Sequence, residues 1–212
     1  IFIYKYSITI LLNLIMKIGV IGLGYVGLPR CLQFLKKGFN VYGFDTDISK
    51  IKILKKGKSY LTNVNKNEIK NHINKKFFVH NSFENIEKLD FIIICLPTPL
   101  KNNSKPDLSI ISNVLKKIEK FLKLEQCICL ESTTYPGSTE ELFLPLLRKK
   151  FNLGKNFYLV YSPERNDPGL KININEIPKI ISGYSEACKK KGAYLYSKIF
   201  KKIIPCSNMK TA

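Results

Sequence analysis

Residues 16–27 read MKIGVIGLGYVG, and this stretch decides the fold. An apolar run typical of a β-strand, residues 18–21, leads directly into Gly22, Gly24 and Gly27. In this G-x-G-x-x-G spacing the first glycine permits a tight turn, the second lets the backbone approach a pyrophosphate, and the third lets a helix pack on the strand. Apolar residues at helical spacing follow, so the turn has the strand before it and the helix after it that dinucleotide binding requires.

A second signal is Asp45, which ends the apolar run 41–45 about 20 residues beyond the glycines, where a carboxylate can hold the ribose hydroxyls of the adenosine. A carboxylate there repels a 2′-phosphate, so NAD is favoured over NADP. The structural alternative is a glycine-rich turn followed by an Asp that starts a helix. Because both signals fall in one βαβ unit, we predict an NAD site.

Apolar runs alternate with helical patterns along the chain, which predicts an α/β fold: a Rossmann-like, doubly wound and mostly parallel sheet with helices on both faces. The predicted strands are residues 17–21, 40–44, 77–80, 90–95, 126–131, 157–161, 179–182 and 203–206. Helical spacing predicts a helix over 111–122, and Ser138 with Glu141 predicts a capping box that opens another helix. The Lys- and Asn-rich stretches 62–76 and 101–105 are expected to be loops. Residues 16–212 are thus expected to form one NAD-binding domain.

The chain carries a formal net charge of +19, a value that suggests nucleic-acid binding. Only Arg30, Arg148 and Arg165 are arginines among the 35 basic residues, whereas nucleic-acid binders rely on arginine forks and a basic patch. The lysines fall on the polar faces and ends of predicted helices. We therefore expect no nucleic-acid partner and only a weak general attraction for an anionic nucleotide.

The six cysteines show no metal-ligand spacing, and His72 and His80 have no partner in sequence. Cys95, Cys127 and Cys129 lie inside apolar runs, so we expect buried, reduced thiols in a cytoplasmic protein, and no metal site.

Residues 1–15 are apolar but interrupted by Lys5, and they are too few to span a membrane. No small-residue cleavage site precedes the strand predicted at residue 17, and Met16 stands where such a strand would begin. We therefore expect residues 1–15 to be an upstream-translated or cloning-derived extension, and we expect no membrane partner.

Turn-forming and polar residues follow three further predicted strands: LPTP at 96–99, ESTTYPG at 131–137 and SPER at 162–165. Ligands of doubly wound sheets bind beyond the carboxyl ends of the strands. We therefore expect Thr98, Thr133 and Glu164 to lie near one another. The alternatives are turn chemistry beside proline for the threonines, and a helix cap or an ion pair with Arg165 for Glu164.

At these strand ends the chain resembles the UDP-glucose/GDP-mannose dehydrogenase family. The matching segments are KIGVIGLGYVGLP (17–29), GFDTD (43–47), CLPTPL (95–100), PDLS (106–109), ESTTYPGSTEE (131–141), YSPERNDPG (161–169) and IPKIISG (177–183). Their form is most similar to the branch that acts on UDP-N-acetylhexosamines such as UDP-N-acetylglucosamine. The resemblance implies oxidation of the primary alcohol of the UDP-sugar to a carboxylate with two NAD, for surface polysaccharide biosynthesis.

The resemblance also implies roles for individual residues. Tyr25 and Val26, beside the glycines, would lie on the NAD pyrophosphate, while Asp45 and Lys50 would hold the adenosine ribose. Thr98 would contact the cofactor.

The resemblance implies roles for three further residues. Thr133 would contact the cofactor and help to order the hydrolytic water, and Glu164 would work with that water as a general base. Arg165 is a candidate for the substrate or for a domain interface.

The family's nucleophilic Cys lies in a GGHC-type segment, with a catalytic Lys and Asn on a long helix, and none of the six cysteines here matches it. We therefore expect a truncated chain, inactive alone, whose full-length relatives form homo-oligomers. Two alternatives stay open: the cofactor domain of a β-hydroxyacid dehydrogenase of the 6-phosphogluconate type, and a non-enzymatic nucleotide-binding module.

Overall fold

A computed structural model describes residues 16–101, 105–164 and 177–212. The strands are β1 (Lys17–Ile21), β2 (Asn40–Phe44), β3 (Phe77–His80), β4 (Phe91–Ile94), β5 (Cys127–Leu130), β6 (Tyr158–Tyr161), β7 (Lys179–Gly183) and β8 (Ile203–Pro205). The α-helices are α1 (Gly27–Lys36), α2 (Ile48–Lys55), α3 (Lys66–His72), α4 (Ser109–Ile118), α5 (Ser138–Leu147) and α6 (Glu186–Tyr196). Two 3₁₀ turns cover Glu84–Lys88 and Glu119–Phe121.

The strands form one sheet in the order β3-β2-β1-β4-β5-β6-β7-β8. All neighbours pair in parallel except β6 and β7, which are antiparallel. The chain runs outward from β1 to β3 and then returns to the other side of β1 with β4, so the order reverses between β1 and β4. This is the doubly wound topology predicted from the sequence, and each predicted strand is found within one residue at either end.

Both faces of the sheet are covered, and β4 illustrates why its sequence is continuously apolar. Phe91 and Ile93 point into a core shared with α1 and α6, whereas Ile92 and Ile94 point into a core shared with α4 and α5. Since side chains alternate across a strand, a parallel strand with helices on both faces needs apolar residues at every position.

Two local predictions are wrong. Residues 66–72, expected to be a loop, form α3, because the Asn65 side chain accepts from the Asn67 amide at 2.9 Å and Ile69 anchors the helix in the core. The capping box at Ser138 does not form: α5 begins at Ser138, but Gly137 is its N-cap, with a φ of 93°, and the buried Ser138 hydroxyl has no partner among the described residues. Residues 102–104 of the other predicted loop lie outside the described residues.

Candidate dinucleotide-binding site

A cleft of about 630 Å³ lies at the carboxyl ends of β1, β2, β4, β5 and β6, where the strand order reverses. The predicted site residues that line it are Gly22, Gly24, Tyr25, Val26, Asp45, Lys50, Thr98, Thr133 and Glu164. Segments far apart in the sequence thus converge on one concave surface. This convergence is predicted, because the segments follow parallel strands whose carboxyl ends meet at one edge of the sheet.

The three glycines of the turn are needed for different reasons. Gly22 has a φ of +90°, and a Cβ there would lie 2.4 Å from the carbonyl oxygen of Cys95. Gly27 lies behind the turn, where a Cβ would lie 1.8 Å from the carbonyl oxygen of Gly22, so this position lets α1 pack closely against β1. Apart from its two chain neighbours, no described residue would lie within 4 Å of a Cβ on Gly24, although Gly24 lines the cleft. The protein itself leaves room for a side chain at Gly24, so the space beside it fits a close ligand, as expected of the glycine that faces a pyrophosphate.

Asp45 is fixed at one end of the cleft. Its Oδ2 accepts from the Leu23 amide at 2.9 Å and from Lys50 Nζ at 3.3 Å, and its Oδ1 accepts from the Asp47 amide at 2.9 Å. The Tyr60 hydroxyl donates to the Leu23 carbonyl and so braces the same turn. A carboxylate oxygen has more than one lone pair, so Asp45 keeps acceptor capacity for the ribose hydroxyls.

The loops after β4 and β5 are tied to each other in the middle of the cleft. The Leu96 amide donates to the Ser132 hydroxyl at 2.9 Å, a contact that holds the segments carrying Thr98 and Thr133 side by side. Cys95 also lines the cleft, and burial raises the pKa of its thiol well above the usual value. A protonated thiol is a poor nucleophile, so this environment does not activate Cys95.

The opposite end of the cleft holds a group of buried charges, which we call the charge cluster: Arg30, Glu131, Glu164 and Lys179. Arg30 Nε lies 3.0 Å from Glu131 Oε1, and Arg30 Nη2 lies 3.0 Å from Glu131 Oε2. Arg30 Nη2 also donates to Glu164 Oε2, and Lys179 Nζ lies 2.9 Å from that oxygen and 3.6 Å from Glu131 Oε2. Within the described ranges, no residue donates to Glu164 Oε1.

Aromatic side chains close the inner side of the charge cluster. The Tyr196 hydroxyl donates to Glu131 Oε1, and the Phe200 ring centroid lies 4.8 Å from the guanidinium carbon of Arg30. Lys179 Nζ lies 5.3 Å from the Tyr196 ring centroid. Both cations therefore rest on electron-rich ring faces.

Burial and neighbouring charges shift the pKa of Glu131, whose side chain is fully buried, in opposite directions. Burial alone raises its pKa, but the charges of Arg30 and Lys179 and the Tyr196 hydrogen bond bring the pKa below its usual value. Burial raises the pKa of Tyr196 well above its usual value, and the neighbouring Glu131 charge acts in the same direction. Glu131 is therefore an ionised interior group and Tyr196 a neutral donor.

Sequence reasoning missed the roles of Arg30, Glu131 and Lys179 in the charge cluster. One signal was available: Arg30 is a rare arginine in a lysine-rich chain, and it follows an apolar stretch of the predicted helix. The ion pair considered for Glu164 exists, but its described partners are Arg30 and Lys179. Arg165 lies outside the described residues.

A doubly wound sheet, a glycine turn at the start of α1 and an acidic residue after β2 together define a dinucleotide-binding domain of the NAD type. A family comparison is more specific. The chain belongs to the UDP-glucose/GDP-mannose dehydrogenase family, whose NAD-binding domain matches residues 16–202. The resemblance in the sequence motifs and the prediction of NAD as the cofactor are thereby confirmed.

Three relatives illustrate the similarity. Protein CapL of Staphylococcus aureus is 40% identical over 186 residues, which cover 86% of this chain and 43% of CapL. The UDP-N-acetyl-D-glucosamine 6-dehydrogenase of Pseudomonas aeruginosa is 34% identical over 202 residues, 93% of this chain and 46% of that protein. The structure of the UDP-N-acetyl-mannosamine dehydrogenase Cap5O from S. aureus superposes with a TM-score of 0.85 at 30% identity, covering 92% of this chain and 48% of that one.

The chain thus spans about half the length of the curated relatives it matches. The family match favours a nucleotide-sugar dehydrogenase over the β-hydroxyacid alternative. None of the helices in the described ranges has the length and apolar character needed to cross a bilayer.

Proposed function

We propose that this chain is the cofactor-binding part of an NAD-dependent dehydrogenase that oxidises the primary alcohol of a UDP-N-acetylhexosamine, or of a UDP-hexose, to the uronic acid. Two NAD are used for each sugar, and the product enters surface polysaccharide biosynthesis in the cytoplasm. The observation that carries this proposal is the single cleft with Asp45 at one end, the glycine turn in the middle and Glu164 at the other end. The names of the relatives support the substrate class.

The residues at the glycine turn would bind the cofactor in a defined direction. Asp45 and Lys50 would hold the adenosine ribose, and Tyr25 and Val26 at the start of α1 would lie on the pyrophosphate. Helix N-termini favour such anions because their first amide groups and the helix dipole point at them. Thr98 would contact the remaining length of the dinucleotide. When bound, NAD accepts the hydride that leaves the alcohol carbon.

The far end of the cleft carries the proposed proton chemistry. Glu164 is 11% exposed, and both of its described cationic partners contact Oε2. Since no described residue donates to Oε1, Oε1 is the oxygen that would accept a proton from a water molecule. Thr133, which is exposed at the cleft wall, would order that water and contact the cofactor. A positioned carboxylate of this kind contributes typically 10²- to 10⁴-fold to a rate.

Calorimetric titration of the 212-residue chain with NAD and with NADP tests the cofactor site. We expect binding of NAD and weaker binding of NADP. Because the chain spans about half the length of its relatives, we expect no NADH when UDP-N-acetylglucosamine, UDP-N-acetylmannosamine or UDP-glucose is added with NAD. Absence of NAD binding to folded chain would refute the cofactor site. Turnover of a small β-hydroxyacid would refute the substrate class.

The complete reaction is tested with the product of the whole coding region. We expect two NADH for each UDP-uronate formed, and we expect Glu164→Gln to lower kcat while NAD still binds. An unchanged kcat in that variant would remove Glu164 from the proposed chemistry.

A further inference from the structure

The charge cluster at the inner end of the cleft is electrically balanced. Two cations, Arg30 and Lys179, face two carboxylates, Glu131 and Glu164, among the described residues. Both cations are almost completely buried, with side chains 2% and 4% exposed. Glu131 and Glu164 both line the cleft, but the Glu131 side chain is fully buried and only Glu164, at 11%, has appreciable exposure within the cluster.

The direction in which a dinucleotide lies along the cleft determines which part of it is beside the charge cluster. This step rests on the proposed function, in which Asp45 holds the adenosine ribose and the pyrophosphate lies on the glycine turn. The nicotinamide ring then extends toward Glu164. The ring carries a positive charge in NAD⁺ and is neutral in NADH, so the local charge beside the ring acts on one form and hardly on the other.

We propose that Arg30 and Lys179 are specificity-determining residues that neutralise the two carboxylates and thereby set the relative affinity of the site for NAD⁺ and NADH. Two unbalanced carboxylates would bind the oxidised ring tightly and would discriminate against NADH. With the four charges balanced, the wall beside the ring favours neither form strongly. Because the cations are buried behind Glu164, they act on the ring through the electrostatic field and without touching it.

The geometry supports a field effect in preference to a local contact. Glu164 Oε2 is held by both cations, and Lys179 Nζ also lies 3.3 Å from the Pro163 carbonyl oxygen, so the ammonium group cannot turn toward the cleft without losing several partners. Water is displaced from such a buried group, and a charge in this environment is screened less than a charge on the surface.

The test compares dissociation constants for NAD⁺ and NADH in variants of the full 212-residue chain. Glu164→Gln removes a negative charge and leaves the shape of the side chain nearly unchanged, so the ratio Kd(NAD⁺)/Kd(NADH) should rise on the order of tenfold. Lys179→Met removes a positive charge, so the same ratio should fall on the order of tenfold. Lys179→Arg keeps the charge and should return the ratio toward the wild-type value.

Glu186→Gln is the matched control, because it removes one negative charge from an exposed residue paired with Lys189 outside the cleft. We expect both dissociation constants to be unchanged in this variant. A variant that merely weakens the fold would weaken the binding of NAD⁺ and of NADH alike and leave the ratio of the two dissociation constants unaltered.

The outcomes separate this inference from the proposed function. If the wild-type chain is folded and binds neither form, the cofactor site itself fails and the inference fails with it. If both forms bind but Lys179→Met leaves their ratio unchanged, or moves it in the same direction as Glu164→Gln, the inference is overturned and the cofactor site stands. Should Lys179→Met fail to fold, Lys179→Gln takes its place, since it removes the same positive charge and keeps a polar side chain; a ratio that does not fall in that variant overturns the inference.

Discussion

Replacing Gly24 by Ala should weaken cofactor binding without weakening the fold. Apart from the two chain neighbours, no atom of the described residues lies within 4 Å of a Cβ at this position, and Gly24 is not among the residues with positive φ, so alanine fits the backbone. We expect the free energy of unfolding to change by no more than about 0.5 kcal/mol, the range typical of substitutions that disturb no contact. A small gain is also compatible with the structure, because alanine restricts the unfolded chain.

The effect on binding should be much larger. In the proposed complex the pyrophosphate rests against the backbone of Gly24, and an added methyl group would occupy that space. Inserting a methylene-sized group into a close-packed contact costs typically 1–3 kcal/mol. At about 1.4 kcal/mol for each factor of ten, this cost weakens the Kd for NAD roughly 5- to 150-fold.

The measurement pairs urea denaturation with calorimetric titration of NAD on the same preparations. Gly27→Ala is the informative comparison, because its Cβ would lie 1.8 Å from the backbone oxygen of Gly22. That variant should lose both stability and binding. Gly24→Ala should lose affinity for NAD and keep its stability, and the two measurements therefore separate a ligand contact from a packing contact.

Two results would refute this reasoning. If Gly24→Ala binds NAD with wild-type affinity, no ligand approaches that backbone and the pyrophosphate lies elsewhere. If the variant unfolds at a much lower urea concentration than the wild type, some contact of the turn depends on Gly24 itself. The weaker binding would then follow from the damaged fold and not from a ligand contact.

Further predictions concern single residues. Asp45→Asn should narrow the difference in affinity between NAD and NADP, measured by calorimetry, because the repulsion of a 2′-phosphate is removed. Arg30→Met should lower the free energy of unfolding by about 3–5 kcal/mol in urea denaturation, since it leaves Glu131 buried without its bidentate partner. Burial lowers the pKa of His80 below its usual value, so the folded chain binds this proton less readily than the unfolded chain. Stability should therefore fall as the pH drops below about 6.5, level off below the folded-state pKa, and depend less on pH in His80→Asn. Asn65→Ala should lower stability by about 1 kcal/mol, seen as a small decrease in Tm, because α3 loses its N-cap hydrogen bond.

The sequence predicts the sheet and the cleft because both depend on local patterns. Strands such as β4 and β5 are covered on both faces and are therefore continuously apolar, and this pattern is readable without knowledge of the fold. Once the strands are known, the topology brings their carboxyl ends together, so Thr98, Thr133 and Glu164 could be assigned to one cleft. The short helix α3 was missed, because its single buried residue, Ile69, gives no periodic pattern.

The partners of Glu164 could not be predicted in the same way. Arg30 and Glu164 are 134 residues apart in sequence, and Arg30 and Glu131 are 101 apart. A charged residue in a predicted helix gives no sign of whether it faces solvent or a distant carboxylate. Lysine-rich composition makes this harder, because Lys179 looks like any of the surface lysines.

The presence of the charge cluster itself calls for a reason other than stability. Removing four charges from water is costly, and replacing a buried ion pair by apolar residues of similar volume is often neutral or stabilising. An apolar wall built from the same elements would therefore serve the fold at least as well. The cluster does not lie at random in the core, since Glu164 and Glu131 both line the cleft where the cofactor and its reacting end are proposed to lie. A single carboxylate at that wall would attract the oxidised ring, and a carboxylate without buried counter-charges would be expensive to hold there. Pairing the two carboxylates, Glu131 and Glu164, with the two cations, Arg30 and Lys179, solves both problems, because a Glu164 oxygen stays available while the wall as a whole stays neutral.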